Sequence, residues 1–214
     1  MEASCEKLTV RCKPAGVGPR FPAVLYNHGG KEGDIGGAPE ETCQALAEAG
    51  FVGFAPIRRT DLDFQGNLSD VEAGIEYLKA LAYVDASHLG IIGFSRGGLL
   101  SLRVAMSRTD LAVVVVLAPA PPQGTIDENE IAAEISGPVL IQVAQNDLPS
   151  KLNGGENLLK QAQAYEEALR SAGKAVELQV LPPYQSSNDG HLLFFAIGEY
   201  WEGVVDFLRA ELGD

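Results

Sequence analysis

The chain has 214 residues, 46% of them hydrophobic and 21% charged, with a formal net charge of −13. That composition belongs to a folded protein with a buried core rather than to a disordered one, and at roughly 150 residues per domain the length fits a single domain. The acidity argues against a nucleic-acid binder, which needs clustered Lys and Arg to neutralise phosphates; its plain reading is solubility, and its sharper one is poor affinity for polyanionic substrates.

Met1 to Val10 lacks the basic region and apolar run of a secretory signal. No stretch approaches the roughly 18–20 apolar residues that span a bilayer. Of the three cysteines, Cys5 and Cys12 could bridge a hairpin, but neither their spacing nor their odd number suits a metal site. Free thiols in a reducing cytosol are the favoured reading, and with them a cytoplasmic protein without membrane or nucleic-acid partners.

In chain order, residues 8–12 predict an antiparallel edge strand. Residues 22–26 form the first strand of an alternating series and end at His28, Gly29 and Gly30. Pro39 opens a helix that carries Ala45, Leu46 and Ala49 on one face, and Gly50 closes it. Residues 51–55 are the next strand. Ser69 followed by Glu72 has the form of a capping box, and Val71, Ile75, Leu78 and Leu81 then recur at helical spacing.

Residues 88–94 form a strand that ends at Ser95, with a helix from Arg96 to about Ser107. Residues 111–118 are apolar on both faces, as a covered central parallel strand should be. Residues 119–137 leave room for one short helix around 126–135, which excludes a large cap domain. Residues 138–144 are another strand, residues 156–172 a long amphipathic helix, and residues 176–181 alternate like an edge strand. A last helix is expected from near His191 to Glu211. Sequential strand–helix units cross over right-handedly, which gives an α/β fold: a mostly parallel sheet with helices on both faces.

In such sheets, chemistry collects beyond the carboxyl ends of the strands. Gly93-Phe94-Ser95-Arg96-Gly97 sits where a strand turns sharply into a helix, which lifts the Ser95 hydroxyl clear of the sheet. The helix start also offers the Arg96 N–H to a developing oxyanion. Asp147 follows the strand that ends near Gln145 and could orient a histidine. His191 follows the last strand; of the other two histidines, His28 belongs to the first loop and His88 to the opposite edge of the sheet. Ser95, Asp147, His191 is the chain order in which a strand–serine–helix elbow finds its triad partners. The second oxyanion donor is the N–H of Gly30 or of Lys31. Arg58 and Arg59 could clamp a substrate carboxylate or form surface ion pairs with Asp61 or Asp63. Tyr184, in the loop before His191, is a candidate pocket residue. Asp189 is the weaker choice of triad acid. No metal or organic cofactor is required.

These residues resemble the α/β-hydrolase superfamily over essentially the whole chain from Pro22 onward. Gly190-His191 and the apolar run ending in Phe194 and Phe195 are similar to the small, single-domain branch of dienelactone hydrolase-like esterases. That branch proper carries Cys as nucleophile where this chain has Ser95, so the resemblance implies a plain carboxylic ester hydrolase working through an acyl-enzyme. The His28-Gly29-Gly30 loop together with Gly93 to Gly98 also resembles prolyl-oligopeptidase-type peptidases. Peptide hydrolysis is therefore the second expectation, and a non-catalytic binding protein of the same fold is the third.

Overall fold

The computed structural model describes residues 4–6, 10–15, 20–30, 34–59, 62–185 and 187–213. Among these residues, eight strands form one sheet: β1 (Ser4–Glu6), β2 (Arg11–Lys13), β3 (Phe21–Asn27), β4 (Val52–Phe54), β5 (Val84–Phe94), β6 (Val113–Leu117), β7 (Val139–Ala144) and β8 (Val176–Leu181). Their spatial order is β1-β2-β4-β3-β5-β6-β7-β8. Every neighbouring pair from β4 to β8 is parallel, while β2 runs antiparallel to both β1 and β4. The expected first strand is therefore an interior one: β1 lies outside it, and Leu8 and Thr9 fall outside the described residues. β8 closes the opposite edge, as its alternating pattern predicts.

Among the described residues, six α-helices flank the sheet: α1 (Pro39–Glu48), α2 (Phe64–Ala80), α3 (Arg96–Ala105), α4 (Glu128–Glu134), α5 (Leu158–Ser171) and α6 (Tyr200–Leu212). They cover the central strands so completely that all of β6 and β7 is buried, which explains the unbroken apolar run of β6; in β7 it is interrupted only by Gln142, whose Nε2 donates to Gln179 Oε1 and Tyr200 O. Among the described residues, the seven-residue α4 is the only helix between β6 and β7, and no large cap is inserted there.

Two helix boundaries differ from expectation. Helix α2 starts five residues before Ser69, where the Asp63 carboxylate accepts from Gly66 N at 2.7 Å. Ser69 instead lies within the helix and donates to Gln65 O, one turn back. A true capping box joins Asp127 and Glu130 at the start of α4. The expected last helix is also broken: Gly190–Phe195 is a 3₁₀ helix, Ala196 is extended, and α6 begins only at Tyr200.

The cysteines depart from the free-thiol reading. Cys43 is free and buried, donating to Val10 O and Gly53 O, and burial pushes its thiol up to about 12. Cys12 is disulfide-bonded, and the residue opposite it in the β1–β2 register is Cys5. Such bonds are rare in a reducing cytosol. Among the described residues, no helix is long and apolar enough to cross a membrane.

Candidate active site

Strand β5 ends at Phe94, and Ser95 takes φ 52° and ψ −118°, a conformation that costs a non-glycine residue about 1–3 kcal/mol. The surrounding backbone holds it there. Ser95 N donates to Leu117 O at 2.9 Å, and Ser95 O accepts from Leu99 N and Ala120 N. The two flanking glycines are required by close approach. A Cβ on Gly93 would stand 2.3 Å from Gly97 O, and one on Gly97 would stand 2.1 Å from Asn27 O. Beneath the turn, Asn27 Nδ2 donates to Ser101 Oγ, which donates in turn to Gly97 O, both at 2.8 Å. This chain of bonds ties β3 to the first turn of α3.

At the end of β7, Asp147 is fully buried and His191 nearly so. The structure brings them together, with His191 Nδ1 at 2.8 Å from Asp147 Oδ2. The other carboxylate oxygen accepts from Asn153 Nδ2 at 2.9 Å. A buried carboxylate needs such partners on both oxygens. The bond to an acid fixes the proton on Nδ1 and leaves Nε2 as the basic atom of the ring. The His191 ring packs on Phe94, 4.6 Å between centroids, and turns an edge toward Phe195. The ring thus reaches the elbow through the residue that precedes Ser95. Among the described residues, no hydrogen bond joins Ser95 Oγ to His191 Nε2, a contact that often tightens only when substrate binds.

Asn146 holds the loop that delivers His191. Its Nδ2 donates to Tyr184 O at 2.7 Å and Ser187 O at 2.6 Å, its Oδ1 accepts from Tyr184 N, and its backbone O accepts from Gly190 N. Tyr184 is thus tied to Asn146 through its backbone. Asp189 is engaged with Ser187 and does not compete for the histidine. Neither Asn146 nor Asn153 stands out in the sequence, because nothing about a loop asparagine shows what it will reach in space.

In the loop after β3, Gly29 N–H is committed to Gly36 O at 2.9 Å. Gly30 has φ +85°, and a Cβ there would meet Asp34 O at 2.1 Å, so only glycine fits. Its N–H has no partner among the described residues, and neither does that of Arg96 at the start of α3. Lys31, the alternative donor, lies outside the described residues. His28 is buried beneath this loop. Its Nε2 accepts from Arg58 N at 3.1 Å, so the proton sits on Nδ1, which donates to Gly29 O at 2.7 Å. Burial, reinforced by the Arg58 charge, lowers the imidazole from 6.5 to about 4.

The two arginines expected at a substrate carboxylate have different places. Arg59 is exposed and its guanidinium grips Asp70, the shortest contact being 2.6 Å, which makes a surface ion pair; Asp61 lies outside the described residues, and the Asp63 carboxylate caps α2. Arg58 is buried and donates to His28 O at 2.5 Å. The Arg96 guanidinium lies over the Phe64 ring of α2, 5.3 Å from its centroid.

Comparison with known proteins adds to this geometry. The model of the dienelactone hydrolase family matches residues 57–185, more than half of the chain. The match takes in Ser95 and Asp147 and stops short of His191. Among solved structures, the chain superimposes on a provisionally assigned dienelactone hydrolase from Klebsiella pneumoniae with a TM-score of 0.72 and 16% identity, covering 95% of this chain and 91% of that one. An esterase from Rhizomucor miehei gives a TM-score of 0.72 at 15% identity, with 94% and 78% coverage. The acylaminoacyl peptidase of Pyrococcus horikoshii also gives 0.72 at 15% identity, over 95% of this chain but 39% of its own. At these identities the likeness is one of fold.

Proposed function

We propose that this chain, which belongs to the dienelactone hydrolase family, is a serine hydrolase that cleaves small carboxylic esters through an acyl-enzyme on Ser95. Membership of that family supports hydrolysis as the reaction class. The observation that carries the finer reading is the buried Asp147–His191 pair, whose ring lies against Phe94 next to a serine in a strained elbow.

In this mechanism His191 Nε2 takes the proton of Ser95 as its oxygen attacks the ester carbonyl. The imidazolium that forms is stabilised by the Asp147 carboxylate, which stays ionised. Negative charge on the tetrahedral oxygen is met by the N–H groups of Arg96 and of Gly30, with Lys31 as the alternative second donor. His191 then protonates the departing alcohol, and water repeats the sequence to release the acid. No step needs a metal or an organic cofactor. The low cover above β6 and β7 favours small, water-soluble esters.

A second reading, cleavage of acylated peptides, is favoured by the His28-Gly29-Gly30 loop and by the likeness to an acylaminoacyl peptidase. Hydrolysis of p-nitrophenyl acetate, p-nitrophenyl octanoate and a peptide p-nitroanilide separates the two. The ester reading expects acetate to be turned over fastest, and both Ser95→Ala and His191→Ala to lose about a thousandfold or more. Preference for the anilide would establish the peptidase instead. Inactivity on all three would leave a non-catalytic role for the fold.

A further inference from the structure

Between α2 and the ends of β3 and β4 lies a cavity of about 290 Å³, close to the lower end of the size range of small-molecule sites. Phe54, Val71, Gly74 and Tyr77 give it an apolar wall, and the rings of Phe54 and Tyr77 pack 4.9 Å apart. Arg58 forms its polar end. Ser95, Gly30, Arg96 and His191 do not line it.

Arg58 is only 7% exposed. Charges buried to this degree are normally paired. Yet among the described residues no carboxylate lies within ion-pair distance of it, and its guanidinium makes one hydrogen bond, from Nη1 to His28 O. Its remaining N–H groups are not sealed among apolar atoms, and the residue stands in the cavity wall. Among the described residues, Asp70 is the one acid on that wall, and it is taken up by Arg59. Burial and the neighbouring Arg96 lower the guanidinium to about 10, which leaves it cationic at neutral pH. A fixed cation with spare donors at the end of an apolar pocket complements an anion with an apolar body, and the guanidinium fork matches a carboxylate best.

We propose that this cavity is a second, non-catalytic site for a small monocarboxylate with an aliphatic or aromatic body, its carboxylate on Arg58 and its apolar end against Phe54, Val71 and Tyr77. Occupancy draws the Arg58 guanidinium from His28 O and so loosens the loop that carries the Gly30 N–H. This effect on rate rests on the oxyanion role proposed above; the binding does not.

The test is calorimetric titration of phenylacetate into Ser95→Ala protein, so that binding is read without turnover. The expected result is saturable, equimolar binding that weakens at least tenfold on adding Arg58→Met. Ala73→Phe, at an exposed position of α2 in the cavity wall, fills the space without touching the core and should weaken it equally. In the active enzyme, phenylacetate should lower kcat for p-nitrophenyl acetate more than it raises KM. Binding unchanged by Ala73→Phe, or purely competitive inhibition, would put the carboxylate in the ester site and overturn the proposal. Absence of saturable binding would overturn it too. If Ser95 proves not to be the nucleophile, the titration still reads the cavity alone.

Discussion

His191 Nδ1 and Asp147 Oδ2 lie 2.8 Å apart with both side chains shut off from water, and Asn153 holds the other oxygen of the same carboxylate. A carboxylate so placed can fix the tautomer of the histidine and offset the charge it gains. Asp147→Asn keeps the shape but reverses the hydrogen-bonding sense on one side. It should lower kcat by about 10³–10⁴ with little change in KM. Asn153→Ala should cost about tenfold, the effect of one weakened hydrogen bond to a charged group. Steady-state kinetics on p-nitrophenyl acetate check both, and equal rates for wild type and Asp147→Asn would remove Asp147 from the mechanism.

The elbow predicts a sharp contrast between two glycines. A Cβ at Gly97 would stand 2.1 Å from Asn27 O, a backbone atom locked in the central sheet. Gly97→Ala should therefore destabilise the fold by more than about 3 kcal/mol. Gly124, by contrast, has a positive φ of 80°, and no atom lies within 4 Å of a Cβ there. Gly124→Ala should cost only the conformational strain, about 1 kcal/mol. Urea unfolding measures both, and similar losses would mean that the elbow is not tightly packed.

His28 gives a pH dependence of stability. Its folded pKa is about 4, below the ordinary 6.5, because burial and Arg58 oppose its charge. Above pH 6.5 the imidazole is neutral in both states and contributes no penalty. As the pH falls from 6.5 to 4, the unfolded chain takes up a proton that the folded one refuses. Stability then drops by about 3 kcal/mol in all. His28→Asn should remove that part of the acid sensitivity, so its stability difference between pH 7.5 and pH 4 should be smaller than wild type by about this amount. Parallel stability–pH curves for the two proteins would show that His28 is not held neutral.

The sequence makes the elbow legible because Gly93 and Gly97 flank Ser95 at the one spacing that a strand-to-helix turn tolerates. Strand ends are legible for a similar reason: buried parallel strands leave unbroken apolar runs, such as Val113–Leu117, that stop where the chain leaves the sheet. Local signals mislead where two residues compete for one role. Asp63 and Ser69 can each cap a helix, and only packing shows that Asp63 does so while Ser69 bonds back along the helix. Arg58 and Arg59 are neighbours of one type, yet one faces the loop of His28 and the other a surface carboxylate. Contacts of this kind, like those of Asn146 and Asn153, depend on segments distant in the chain, and no local pattern encodes them.

The central claim is that Ser95 is the nucleophile, and covalent capture tests it most directly. Incubation with a fluorophosphonate followed by peptide mass mapping should place a single adduct on Ser95. Labelling should slow by about a thousandfold in His191→Ala, which keeps the serine but removes its base. An adduct on another residue, or ester hydrolysis that persists in protein that takes no label, would contradict the account.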